Sequence, residues 1–284
     1  MQLQQNNFKI GIIGLGLIGG SIYKCLVANG FKNIFACSSN VNTIEAIKAE
    51  GYLASADINV LKDCDVIFVG SPISQTAKII SDVFQINKNA VYVDVASLKF
   101  GILNEVSKLD GCKFIGSHPM AGTENSGFSA SFAELFQGAK WVITPSSNVS
   151  SDYVDMLAEF VVSCGAIPVF MDAKLHDEVV SMISHTPMLL AQALMHSVQN
   201  DDDAKLLAAS GFRDMTRLAM SNKFMAADML KFNKANIQRS LQLIINNAQR
   251  LLDDDYFEQN IDAIISDRQS LYDEAGKNRF KNNC

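Results

Sequence analysis

The chain has 284 residues, 48% of them hydrophobic and 19% charged, proportions that exclude a disordered or fibrous protein and support a large buried core. Its 24 basic and 30 acidic residues leave a net charge of -6, which argues against nucleic acid or a membrane surface as a partner. Any anionic ligand must therefore meet a local cationic group, and the length points to two domains.

The N-terminus is polar as far as Lys9, and the apolar stretch that follows is broken by five glycines before Ser21, unlike the uniform core of a signal peptide. Short β-branched runs then alternate with amphipathic segments. Strands are expected at Lys9–Ile13, Asn33–Cys37, Val66–Val69, Ala90–Val95, Lys113–Ile115, Trp141–Ile143 and Ile167–Phe170. That rhythm implies βαβ units and a mostly parallel sheet covered on both faces. From Ala173 the strand-like runs stop. Apolar residues recur at helical spacing, as in Leu230, Ile237, Leu241, Ile244, Ala248 and Leu251. The expected division is an α/β domain over 1–172 and an all-helical domain over 173–284. The apolar-striped segment from Ala227 to Leu252 carries more hydrophobic surface than one helical layer can bury, which suggests subunit pairing.

The cysteines (Cys25, Cys37, Cys64, Cys112, Cys164, Cys284) are scattered, with no CxxC pair and no histidine at ligand spacing, so they read as reduced thiols with no metal site and no disulfide framework. No segment reaches the roughly 20 apolar residues of a membrane span. A cytoplasmic location follows as the expectation. The acidic runs Asp201–Asp203 and Asp253–Asp255 read as solvated helix ends.

The first strand runs into Gly14-Leu15-Gly16-Leu17-Ile18-Gly19, followed by a helical stretch. Gly14 permits a tight turn, Gly16 lets backbone approach a pyrophosphate, and Gly19 lets helix and strand pack closely, while the helix N-terminus offers its N–H groups to the phosphates. In this strand–turn–helix context the loop predicts a dinucleotide-binding domain of Rossmann type. The second strand ends at Cys37-Ser38-Ser39-Asn40, where such domains often place an acidic residue on the ribose. Ser38 excludes neither cofactor, so NAD is expected with NADP left open. Ser71, Ser97 and His118 follow later strands and should share the carboxyl edge of the sheet with the glycine loop. A histidine with a nearby hydroxyl at that edge suits acid/base-assisted hydride transfer.

The segment His118-Pro119-Met120-Ala121-Gly122-Thr123-Glu124-Asn125-Ser126-Gly127 resembles the HPMAGTE-x-SG signature of the prephenate dehydrogenase family. Asp94-Val95-Ala96-Ser97-Leu98-Lys99, Trp141-Val142-Ile143-Thr144-Pro145, Ser184-His185-Thr186-Pro187 and Gly211-Phe212-Arg213-Asp214-Met215-Thr216-Arg217 resemble further elements of that family, in family order. The resemblance implies oxidative decarboxylation of prephenate to 4-hydroxyphenylpyruvate in tyrosine biosynthesis, with hydride passing to a nicotinamide cofactor. His118 would accept the proton of the ring hydroxyl and Ser97 would orient His118. Arg217 would hold the side-chain carboxylate, a role suited to a bidentate guanidinium. Its ordinary alternative is a surface residue paired with Asp214. Glu124 would either stand at the active-site entrance or take a structural place at a helix N-terminus, and His185 would either line the crevice or sit in the helical core. The resemblance also implies a homodimer through the helical domain. A fused mutase or regulatory domain is not expected at this length, so any feedback by tyrosine would be expected to act at the active site.

Two departures touch substrate choice: Met188 stands where some members carry a second histidine, and Ala226 where a tryptophan is common. Arogenate, with an amine in place of the keto group, stays open as substrate. His176 and His196 match no motif and are given no role. More distant readings are a β-hydroxyacid dehydrogenase, which would need a lysine in the helical domain, and a non-catalytic nicotinamide sensor, which would leave Ser97, His118 and Arg217 unexplained.

Overall fold

The computed structural model describes residues 8–123 and 125–279, the side chains of 273–279 excepted. Grouped by proximity, it forms two compact units: Met1–Asp177 with Ser221–Phe232, and Glu178–Met220 with Asn233–Cys284. The return of Ser221–Phe232 to the first unit has no counterpart in the sequence reading.

The first unit is built on one eight-stranded sheet in the order β3-β2-β1-β4-β5-β6-β7-β8. Its strands are β1 (Ile10–Ile13), β2 (Ile34–Cys37), β3 (Leu53–Ser55), β4 (Val66–Val69), β5 (Val91–Asp94), β6 (Lys113–Pro119), β7 (Lys140–Pro145) and β8 (Ile167–Phe170). All neighbours are parallel except β6 and β7. β3 is absent from the sequence reading because Leu-Ala-Ser offers no β-branched run, and as an edge strand it leaves Leu53 60% exposed.

The central strands are apolar throughout because both faces are covered. Ile10 and Ile12 of β1, Val66 and Phe68 of β4, and Val91 and Val93 of β5 enter one core with Trp141 and Phe160. The alternate residues Ile13, Ile67, Val69 and Tyr92 enter the other with Ile80, Val83 and Phe84. This period of two is the strand pleat. The covering helices are α1 (Leu17–Ala28), α2 (Val41–Ala49), α3 (Ile73–Phe84), α4 (Phe100–Val106) and α5 (Ser151–Ser163). Asn40 starts α2 by accepting the Thr43 N–H at 3.2 Å.

After β8 the chain is helical: α6 (Ala173–Val180), a π-helical turn (Ser181–His185), α7 (Thr186–Ser197), α8 (Asp202–Leu206), α9 (Ser210–Thr216), a 3₁₀ turn (Arg217–Met220), α10 (Lys223–Phe232), α11 (Lys234–Arg250) and α12 (Asp254–Arg279). The apolar stripe expected to run on from Leu230 is broken at Asn233, between α10 and α11. Within the second unit Ser181 and Ser240 join their hydroxyls at 2.7 Å. No helix among the described residues is long and apolar enough to cross a membrane.

Candidate active site

The cofactor cradle is built where β1 ends. Gly14 adopts φ +84°, and a Cβ there would lie 2.6 Å from the Gly70 carbonyl carbon, so both the turn and the approach of the β4 end require glycine. A Cβ on Gly19 would come within 2.2 Å of the Gly14 oxygen, whereas one on Gly16 would meet nothing within 4 Å. Gly16 is thus an open floor, and it starts α1 with no side chain capping the helix. The uncapped N–H groups of a twelve-residue helix face that floor, the arrangement a pyrophosphate needs. Leu15 is buried in the core and Ile18 packs against it, so these two contribute backbone, not side chains. Leu17 opens α1. Ser38, half-buried, accepts the Asn40 N–H at 3.1 Å, and Ser71 pairs with Thr76 at 3.0 Å. Both follow strands that flank β1. The residues present therefore fit a dinucleotide.

Two strands further along the same edge, β5 and β6 are locked together beneath the motifs. Asp94 is wholly buried; it accepts N–H bonds from Ala96 at 3.1 Å and Ser117 at 3.2 Å and pairs with the equally buried ammonium of Lys99. Ser117 returns its hydroxyl to the Asp94 carbonyl at 2.6 Å. Burial pushes the Asp94 carboxyl up and the Lys99 ammonium down from their usual values, against their mutual attraction. β6 extends beyond the expected Ile115 as far as Pro119, so His118 sits within the strand, paired opposite Val142 of β7. The first two residues of the signature motif, His118 and Pro119, thereby stand on strand backbone.

His118 is half-buried, and its Nδ1 lies 3.0 Å from Nε2 of His176. The His176 Nδ1 lies 2.8 Å from Asp177 Oδ1, and Asp177 accepts the backbone N–H groups of Lys99 at 2.8 Å and Phe100 at 3.0 Å. Both α6 residues are buried, with His176 only 1% exposed. Ser97 is half-buried and makes no hydrogen bond to His118 among the described residues; the partner on Nδ1 is His176. The sequence reading passes over His176 because no motif includes it. The available signal was a His-Asp pair just after the last strand, where the chain leaves the sheet edge.

The remaining residues, Ala226 of the first unit apart, fall in the second unit or outside the described residues. Arg217 opens the 3₁₀ turn after α9, is exposed, and forms no salt bridge among the described residues; Asp214 pairs instead with Arg213 at 3.4 Å. His185 is 1% exposed, with its Nδ1 3.1 Å from the Asn233 amide. Met188 and Ala226 are likewise buried. Glu124 lies outside the described residues. Among the described residues no group of histidine, cysteine and carboxylate side chains could hold a metal ion, and Cys25, Cys37, Cys64, Cys112 and Cys164 are free and buried.

Comparison with known proteins adds lineage to this geometry. The family model for the prephenate dehydrogenase nucleotide-binding domain matches residues 25–169, and that for the prephenate dehydrogenase dimerization domain matches 172–260. The prephenate dehydrogenase of Bacillus subtilis (strain 168) is 31% identical over 247 residues, covering 83% of this chain and 67% of that one. The prephenate dehydrogenase of Lactococcus lactis subsp. cremoris (strain MG1363) is 34% identical over 244 residues, covering 79% and 65%. The chain thus spans about two thirds of the length of these relatives. Among solved structures, prephenate dehydrogenase from A. aeolicus in complex with hydroxyphenyl propionate and NAD+ matches with a TM-score of 0.84 at 25% identity, covering 94% of this chain and 98% of that one. Synechocystis arogenate dehydrogenase matches with a TM-score of 0.79 at 28% identity, covering 95% and 100%.

Proposed function

Because this chain belongs to the prephenate dehydrogenase family, we propose that it oxidises prephenate to 4-hydroxyphenylpyruvate and carbon dioxide. The Gly14–Gly19 loop would hold NAD, which when bound would supply the acceptor for the hydride leaving the ring carbon that bears the hydroxyl. His118 takes the hydroxyl proton as the hydride departs. It returns that proton to the phenolate formed when the ring carboxylate is lost, so the reaction consumes no net proton. Aromatisation drives the second step. Ser97 touches the same hydroxyl, and Arg217 grips the side-chain carboxylate with its guanidinium fork. Ser38 and Ser71 border the cofactor.

The observation that carries this reading is His118, fixed in β6 at the sheet edge that bears the glycine loop and backed by His176. Arogenate is the second reading, favoured by the likeness to the Synechocystis arogenate dehydrogenase. The helical domain pairs two copies of the chain: Leu243 and Ile245 of α11 and Ile264, Ile265 and Leu271 of α12 are at least 40% exposed, more apolar surface than a single copy covers. Tyrosine, which shares the phenol and carboxylate of the product, would inhibit by occupying the same groups, and the buried free thiols fit a cytoplasmic setting.

The deciding experiment follows reduced-nicotinamide absorbance with prephenate or arogenate, each with NAD or NADP. Turnover of prephenate is expected. Turnover of arogenate alone would reassign the substrate while keeping the chemistry, and silence in every mixture despite cofactor binding would leave a nicotinamide sensor.

A further inference from the structure

We infer that Asp177 and His176 are positioning residues that fix the tautomer of His118, keeping its proton on Nδ1 and its lone pair on Nε2, a role that rests on reading His118 as the base. The order of donors and acceptors is set at Asp177. Its carboxylate can only accept, and it already takes the N–H groups of Lys99 and Phe100. The His176 Nδ1 beside it at 2.8 Å must therefore donate. A neutral imidazole has one N–H, so the His176 Nε2 is an acceptor, and the His118 Nδ1 facing it at 3.0 Å must be the donor. Neutral His118 has then committed its proton to Nδ1. The nitrogen left to accept a substrate proton is Nε2.

Local structure holds this order in place. The Asp172 carboxylate caps the start of α6 by accepting the N–H groups of Lys174 at 2.8 Å and Leu175 at 3.1 Å, and the Asp172 carbonyl accepts the His176 N–H at 2.8 Å. The Asp177 bonds to Lys99 and Phe100 tie that helix to the turn after β5. The imidazole rings of His118 and His176 cross at 82°. When Nε2 of His118 takes a proton, Nδ1–H continues to donate, now from a cation to an acceptor backed by a carboxylate, and that bond strengthens as charge develops. A protonated His176 would reverse both roles and leave His118 with its proton on the wrong nitrogen.

The chain has four histidines, few enough for a ¹⁵N-histidine spectrum to be assigned with His118→Asn and His176→Gln variants. The expected spectrum of the full chain shows His118 protonated at Nδ1 and bare at Nε2; the opposite tautomer overturns the assignment whether or not the protein turns over prephenate. If neither prephenate nor arogenate reacts, the proposed reaction falls while the spectrum still decides the tautomer. Kinetically, His176→Phe should lower kcat by about 10²-fold or more with KM and cofactor affinity nearly unchanged. His176→Gln, whose amide oxygen can accept the same bond, should recover most of that loss. An unchanged kcat in His176→Phe, or equal losses in both variants, would refute the positioning role.

Discussion

Replacing Lys99 with methionine keeps the length of a fully buried stem and deletes only the cation opposite Asp94. The carboxylate retains the Ala96 and Ser117 N–H groups but faces an apolar surround without its counter-charge. Removing one partner of a buried pair typically costs about 3–5 kcal/mol. Protonation sets a ceiling on that cost. Holding the carboxyl neutral at pH 7, when its unfolded value is about 3.9, costs about 4 kcal/mol, and at pH 5 only about 1.5 kcal/mol. In the variant the folded state binds more protons than the unfolded state, so its stability falls as pH rises. In the unfolded parent the pair holds one proton between roughly pH 5 and pH 9, and the variant's deficit is read against the parent at each pH. Urea denaturation followed by fluorescence suits the test, because the single tryptophan, Trp141, is wholly buried in this unit. The expected deficit is about 3–4 kcal/mol at pH 7, shrinking to about 1.5 kcal/mol or less at pH 5. Adding Asp94→Asn should abolish the slope. A deficit below about 1 kcal/mol at pH 7, or one that does not change with pH, would show that the pair is not the lock between β5 and β6.

Other perturbations probe the site directly. His118→Asn should lower turnover by about 10²–10⁴-fold while cofactor affinity, read by fluorescence titration, stays nearly intact; unchanged turnover would remove His118 from the reaction. Arg217→Ala should chiefly raise KM for prephenate, and steady-state kinetics with an unaltered KM would assign the carboxylate to another cation. Gly14→Ala places a side chain where φ is +84° and the Gly70 backbone is already in contact, so NAD binding measured by calorimetry should be lost or much weakened. Normal affinity would mean that the loop can shift to admit the methyl group.

The α/β half was legible because its signals are local. Continuous apolar runs such as Ile10–Ile13 and Val66–Val69 mark strands buried on both faces, and the glycine spacing marks a turn that larger residues cannot make. β3 was not legible, since an edge strand of three residues is set by pairing with β2 and not by composition. The extension of β6 through Pro119 was also hidden, because it depends on the antiparallel partner β7, where His118 pairs with Val142, far from any local pattern in Ser117-His118. The break at Asn233 was missed for a related reason: the stripe from Leu230 to Leu251 keeps helical period across it, while Asn233 is buried and turns its side chain to His185 and Asn236.

The site shows the same division between what motifs reveal and what tertiary pairing decides. Ser97 and His118 stand in recognisable motifs, and sequence alone made the hydroxyl the natural partner for the imidazole. In the fold that place on Nδ1 belongs to His176, from a helix 58 positions downstream, and the connection is closed by backbone N–H groups of Lys99 and Phe100 beside the serine's own motif. Backbone donors leave no trace in residue identity, so no spacing rule could have exposed the link. Its consequence is chemical: the DxxSxK segment reaches His118 through main chain, Asp177 and His176, and on the proposed reading the Ser97 hydroxyl would serve the substrate instead of the base. Removing that hydroxyl should then impair binding or hydride transfer without moving the His118 tautomer, a separation that Ser97→Ala and the ¹⁵N-histidine spectrum can establish together. A tautomer change in Ser97→Ala would return the orienting role to the serine.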